Sequence, residues 1–287
     1  MSAFWTTMTT ALALVVHARI PLVAFALLIE LSGLGTMALR WRLLMVKLGI
    51  RPRFRDTLLT YSAGVFVCNV TPARTIGGDA TRAALINPKV DAPGKLVAAS
   101  VVYDRATDAI GILVVAVVAL PVLWRSSSGP IVVGVLALAV LALALPAVRK
   151  LAARRVGKWH EALVGAEHTG GMGGFTAVAV CSIAAWLQDV ARILVICATF
   201  NVTLSPSQAA TLTLIRLTST IVPVPAGLGV ADGAMVAGLV WFGVPVETAG
   251  AIAILERAIL YGWSTLLGAI SLVLLGGTKL LRSAGKA

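Results

Sequence analysis

Five stretches of this chain are long and apolar enough to cross a lipid bilayer, and no other feature restricts its fold so severely. They run from Ile20 to Leu39, Leu96 to Leu120, Ile131 to Val148, Phe175 to Phe200 and Thr248 to Leu275. A span needs about 20 mostly apolar residues. Apolar side chains make up 59% of the 287 residues and charged ones 13%, with a mean hydropathy of +0.94. Soluble domains are about 45–50% apolar and about 25% charged, and a chain of this size has no water-soluble core that would hide the excess. The expected fold class is an all-α polytopic membrane protein. Soluble enzymes, secreted disulfide scaffolds and nucleic-acid-binding domains are excluded, so nucleic acid is not an expected partner.

The net charge of +12, from 24 Lys and Arg against 12 Asp and Glu, follows the positive-inside rule instead. Arg40 to Arg55 carries six basic residues, Arg149 to Lys158 carries five, and Lys279, Arg282 and Lys286 close the chain. Asn201 to Pro206 and Gly243 to Glu247 carry none, and Leu123 to Pro130 carries only Arg125. The protein is therefore expected to be integral to the cytoplasmic membrane, with its N-terminus outside and its C-terminus inside. The weaker stretch Ala3 to Val16 is diluted by four threonines and lacks a basic n-region. It is read as an interfacial helix rather than a cleaved signal, with a sixth span as the alternative. Cys68, Cys181 and Cys197 lie far apart in apolar sequence, and the three histidines have no partner at ligand spacing. No metal or cofactor is expected.

Two further apolar stretches break part-way. Asp56 to Val70 runs into Thr71-Pro72-Ala73-Arg74-Thr75-Ile76-Gly77-Gly78-Asp79, and Ser207 to Val222 runs into Pro223 to Asp232, which holds Pro225, Gly227 and Gly229. Pro and Gly clusters end helices, and irregular backbone at membrane depth is tolerated only where protein buries it or it lines a cavity. Each break is expected to be the tip of a re-entrant helical hairpin, the alternative being a loop between interfacial helices. In the first, Asp79 is placed to cap a helix starting near Ala80. Arg74 and Arg82 flank the Gly77-Gly78-Asp79 turn, where backbone N–H groups would cradle a phosphate.

The breaks repeat. Pro-Ala followed by Asp seven residues after the Pro occurs at Pro72 and Pro225, and an acid–Arg step follows each as Asp104-Arg105 and Glu256-Arg257. The displacements are 153 and 152 residues. The same displacement lays the Ile20 span over the Phe175 span, and these run in opposite directions under the loop-charge assignment. The chain thus reads as one integral membrane domain, 1–287, with repeat one over about 20–120, a linking span at about 131–148 and repeat two at about 175–276. Inverted-topology repeats of this kind place a site near the midplane where they meet.

Charges inside the apolar segments should persist only if they pair or face water, because each costs about 2.5–3.5 kcal/mol at a helix centre. Arg74, Arg105, Arg192, Arg216 and Arg257 fall there, with Glu30, Asp79, Asp104, Asp108, Asp189, Asp232 and Glu256. Asp104 and Asp108 share a helical face, as do Asp189 and Arg192. The adjacent Asp104-Arg105 and Glu256-Arg257 point about 100° apart, so they are placed to pair across helices. Glu30 and Arg216 lack a counterpart in the repeat. The alternative role for all these charges is to lock helix to helix or to snorkel to the interface.

The Arg40-Trp41-Arg42-Leu43-Leu44 segment, the block from Asn69 to Pro72 and on through Gly77-Gly78-Asp79 to Arg82, and Pro223 to Asp232 followed by Glu256-Arg257 together resemble the transmembrane domain of lysylphosphatidylglycerol synthases. The resemblance covers about residues 20–275 and implies a lipid-translocating domain. In this chain the family's Pro-Gly-Gly reads Pro225-Ala226-Gly227 and its Glu reads Asp232, and the soluble aminoacyl-transferring domain is not present. The expected function is a lipid flippase or scramblase, not an enzyme, moving a phosphate-bearing head group. Asn69, Arg74, Gly77, Gly78, Asp79, Arg82, Asp104, Arg105, Asp108, Asp189, Arg192, Arg216, Pro225, Gly227, Gly229, Asp232, Glu256 and Arg257 are its candidate substrate-binding residues. Membrane lipids are the expected partners, and a homo-oligomer is left open. The alternatives are a polyprenyl-phosphate or small-anion transporter, a lipid-modifying intramembrane enzyme using Asp104 and Asp108, or an accessory subunit of a lipid or glycan enzyme.

Overall fold

A computed structural model describes residues 2–71, 74–125, 158–219 and 229–276, and among these the secondary structure is helical with no strand. The helices are α1 (Ser2–Val16), α2 (Ile20–Lys47), α3 (Phe54–Val70), α4 (Arg74–Ile86), α5 (Gly94–Arg125), α6 (Lys158–Thr199), α7 (Pro206–Ser219), α8 (Val230–Trp241), α9 (Val246–Arg257) and α10 (Ser264–Leu274). A π-helical turn, Ala258–Trp263, joins the last two. Four segments are long and apolar enough to cross a membrane: Ile20–Lys47, Gly94–Arg125, Phe175–Thr199 and Val246–Leu274. The expected span at 131–148 lies outside the described residues. The protein is an all-α polytopic membrane protein, as backbone pairing in hydrocarbon demands.

The first span does not end at Leu39, and Arg40 is not the loop charge expected from the end of the apolar run. α2 continues for two more turns to Lys47, and Arg40 and Trp41 are fully buried in it. A run of good helix formers, Leu43, Leu44 and Met45, carries the helix past the charge, and carboxylates from other helices meet the guanidinium.

α2 and α6 run antiparallel along one another. Ser32 meets Gln188, Glu30 meets Arg192, Arg40 meets Ser182, and Lys47 lies over the Phe175 ring. In lipid there is no hydrophobic drive between helices, so close packing and polar contacts hold such pairs. The order of elements recurs: α2, α3, α4 and α5 are followed by α6, α7, α8 and the α9–α10 pair. Contacts recur with it, since α3 lies on α10 while α7 lies on α5.

α3 and α4 also lie antiparallel, closed at one end by Lys89 and Asp56 at 3.6 Å. At 17 and 13 residues they measure about 25 and 20 Å at 1.5 Å per residue, short of the ~30 Å hydrocarbon core. Here a second expectation is corrected. Gly77, Gly78 and Asp79 do not form a turn ahead of a helix at Ala80, because α4 already begins at Arg74. Gly78 instead lets two backbones meet, against Gly64 of α3. A Cβ on Gly78 would lie 2.6 Å from the Gly64 carbonyl oxygen and 3.0 Å from the Cys68 Cβ. Gly78→Ala should therefore destabilise the protein by about 1–3 kcal/mol through overpacking, read as a lower thermal midpoint in detergent. An unchanged midpoint would contradict this contact.

α1 packs along α9, with Ala11 2% exposed. A Cβ on Gly250 would reach the Ala11 Cβ at 3.4 Å. Its 15 residues measure about 22 Å.

Candidate functional site

Among the described residues the intramembrane charges gather into two clusters, and several members of the first recur in the second 152 or 153 residues further along the chain. In the first, Arg40 Nε donates to Asp104 Oδ1 at 2.8 Å, and its Nη1 donates to Asp108 Oδ1 at 2.6 Å and to Ser182 Oγ at 2.9 Å. Arg82 Nη1 donates to the other Asp104 oxygen at 2.6 Å. Arg82 Nε lies 3.2 Å from Asp79. Its guanidinium sits 5.0 Å from the Trp41 ring centre and 5.1 Å from that of Tyr61. Trp41 is itself fixed by a 3.0 Å bond from Nε1 to Ser100 Oγ. A guanidinium between two aromatic faces is favourable because it is planar and weakly hydrated. Arg105 grips Asp79 through Nε at 2.9 Å and Nη2 at 2.8 Å, and is 40% exposed.

The second cluster repeats the first at a displacement of 152 residues, with Arg192 standing for Arg40 and Glu256 for Asp104. Arg192 holds Glu256 bidentately, Nε to Oε2 at 3.2 Å and Nη2 to Oε1 at 3.0 Å. Its Nη1 donates to Glu30 and to Asp189, each at 2.6 Å. Arg216 Nη2 donates to the other Asp189 oxygen at 2.5 Å. Arg257 Nε donates to Asp232, the counterpart of Arg105 on Asp79, and its guanidinium lies 4.8 Å from the Tyr261 ring. Asp232 also accepts the Gly229 N–H at 3.0 Å and so caps α8. Gly229 adopts φ +79°, in the left-handed region open to glycine. The capping role expected of Asp79 therefore belongs to Asp232.

The adjacent acid–Arg steps do diverge as a helix requires. Asp104 turns to Arg40 and Arg82 while Arg105 turns to Asp79; Glu256 turns to Arg192 while Arg257 turns to Asp232. The π-helical turn directly after Arg257 carries Tyr261 back toward it. Such insertions concentrate at functional sites. A groove of about 230 Å³ opens beside the second cluster, lined by Glu30, Asn69, Gln188, Asp189, Arg192 and Arg216 among others. Asn69 donates to Thr265 Oγ1 at 2.9 Å, tying α3 to α10 across the groove.

Of the candidate residues, Arg74 opens α4 but its side chain lies outside the described residues, as do Pro225 and Gly227 altogether. Gly78 serves helix packing against Gly64, and Gly77 lies within α4, where its carbonyl accepts from Thr81 Oγ1. Sequence reasoning missed Arg40 and Ser182, and it left Glu30 without a counterpart. The signal was present in the repeat: at 152 residues Arg40 falls on Arg192 and Glu30 falls on Ser182. Buried N–H groups without hydrogen-bond partners remain at Arg40 Nη2 and Arg82 Nη2. Among the described residues the first cluster sets three arginines against three carboxyls, whereas the second sets three arginines against four.

Residues 2–268 match the family model described as the lysylphosphatidylglycerol synthase TM region. A curated relative is a UPF0104 membrane protein of Methanocaldococcus jannaschii, 22% identical over 285 residues, which cover 88% of this chain and 84% of the relative.

Proposed function

Because the chain belongs to the lysylphosphatidylglycerol synthase TM region family, we propose that it moves the phosphate-bearing head group of a lipid across the cytoplasmic membrane, as a flippase or scramblase, without altering the lipid chemically. One observation carries this reading: the membrane helices hold matched arginine–carboxylate clusters, each with a more accessible arginine at its edge. Arg105 is 40% exposed and Arg257 21%, whereas Arg40 and Arg192 behind them are buried. The accessible guanidiniums would receive the phosphate by charge-assisted, bidentate bonding. Arg40, Arg82 and Arg192 would hold the frame. Acyl tails would stay in lipid while the head group crosses the polar path, which avoids most of its desolvation cost.

The antiparallel α2 and α6 support an inverted pair of repeats, each with a re-entrant hairpin. So do the loop charges. The closed end of the first hairpin carries Arg51, Arg53, Arg55, Lys89 and Lys95, and the corresponding connections of the second, 200–205 and 242–245, carry no basic residue. The first hairpin would then enter from the cytoplasm and the second from outside, with the N-terminus outside.

The test is leaflet exchange in liposomes containing the purified protein, using labelled phosphatidylglycerol and a labelled polyprenyl phosphate. Exchange of phosphatidylglycerol above protein-free vesicles, slowed by excess unlabelled lipid of the same head group, is the expected result. Exchange of the polyprenyl phosphate alone would move the substrate to lipid-linked carriers. Exchange of neither by folded, inserted protein would overturn the reading.

A further inference from the structure

We propose that the second cluster is a proton-binding site centred on Glu30, and that proton uptake and release there accompany movement of the head group; only the coupling half rests on the function proposed above. The first cluster sets Arg40, Arg82 and Arg105 against Asp79, Asp104 and Asp108, and is neutral. In the second, with Arg257 and Asp232 satisfying one another, Arg192 and Arg216 face three carboxyls: Glu30, Asp189 and Glu256. One carboxyl is surplus. An uncompensated charge at membrane depth is expensive, and a carboxyl avoids it by taking a proton.

Geometry selects which carboxyl this is. Glu256 takes a bidentate grip from Arg192. Asp189 accepts from two arginines, one on each oxygen. Among the described residues Glu30 has a single partner, Nη1 of Arg192, and shares that nitrogen with Asp189. It is 7% exposed, yet it lines the groove, so a proton has a route to it. The charged and titratable groups facing it are Asp189 and Arg192 from α6, Arg216 from α7, Glu256 from α9 and Tyr261 from the π-helical turn; α3 contributes the neutral Asn69.

The repeat supplies an independent comparison. Ser182 occupies the position of Glu30, 152 residues on, and contacts Arg40 as Glu30 contacts Arg192. Its hydroxyl donates a hydrogen bond to the Thr107 carbonyl oxygen at 2.6 Å. The same geometry therefore holds a non-titrating hydroxyl in the balanced cluster and a carboxyl in the unbalanced one.

Infrared spectroscopy of the protein in lipid nanodiscs reads the proton directly, through the C=O stretch of a protonated carboxyl. The wild type should show this band at neutral pH and lose it on alkalinisation. Glu30→Gln should lack it, Glu30→Asp should retain it, and Ser182→Glu should add a second, because it creates the same surplus in the first cluster. A band that survives unchanged in Glu30→Gln, or its absence from the wild type, overturns the site. Should Glu30→Gln fail to fold, an absent second band in Ser182→Glu overturns it equally. For the coupling, an imposed pH gradient should change the exchange rate of labelled phosphatidylglycerol in wild-type liposomes, with that sensitivity lost in Glu30→Gln and kept in Glu30→Asp. Wild-type exchange indifferent to the gradient overturns the coupling. No exchange at any pH overturns the transport function instead, and the infrared band still decides the proton site.

Discussion

Arg192→Ala should be the most damaging single substitution in the chain, leaving little protein that survives extraction in folded form. Arg192 is 2% exposed and is the one guanidinium that touches Glu30, Asp189 and Glu256 together. Removing one partner of a buried ion pair costs about 3–5 kcal/mol because the other charge is left uncompensated. Here three carboxyl groups lose a donor at once. Arg192→Lys should recover only part of the loss, since an ammonium lacks the planar fork that serves Glu256 through two nitrogens. Arg257→Ala, at a pair 21% and 32% exposed, should move stability far less, in keeping with the weak net worth of accessible ion pairs. Thermal midpoints of the three purified variants in one detergent provide the comparison. If Arg192→Ala were as stable as Arg257→Ala, the second cluster would not be assembled as described.

Gly111→Ala should be strongly damaging although it adds only a methyl group. A Cβ at this position would overlap the Ser182 carbonyl oxygen and the Trp186 ring. The carbonyl belongs to α6 and cannot be moved aside as a flexible side-chain end can, so α5 and α6 must separate. Overpacking of this kind typically costs about 1–3 kcal/mol, occasionally more. The separation also reaches the site, because Ser182 bonds Arg40 and the Thr107 carbonyl from the same stretch of α6. Gly111→Ala is therefore expected to lower the thermal midpoint and to slow lipid exchange together. Gly35→Ala is the control, since nothing lies within 4 Å of a Cβ there, and it should change neither. Equal behaviour of the two variants would contradict the α5–α6 contact.

Much of this was legible before any coordinates. Apolar run lengths marked α2, α5, the latter part of α6 and the α9–α10 pair, because a bilayer demands segments of that length and composition. The acid–Arg steps marked the clusters, because charges at membrane depth must find partners. Three features were misread for physical reasons. Gly77 and Gly78 looked like a turn, since glycine disfavours helix in water, but against Gly64 a bare backbone lets two helices touch. Arg40 looked like a loop charge, since it ends an apolar run, and only its partners on α5 and α6 reveal it as buried. Ser182 carried no charge to flag it, and its kinship with Glu30 appears only when the displacement of the acid–Arg steps is applied to every position.

The most direct test of the account is leaflet exchange of labelled phosphatidylglycerol in liposomes carrying wild-type protein, Asp79→Ala or Asp232→Ala. These carboxylates hold Arg105 and Arg257, one in each repeat. If the two repeats form one path for a head group, wild-type protein exchanges the lipid faster than protein-free vesicles and either substitution abolishes the excess. A folded, inserted wild type with no excess exchange, or an excess that survives both substitutions, would contradict it.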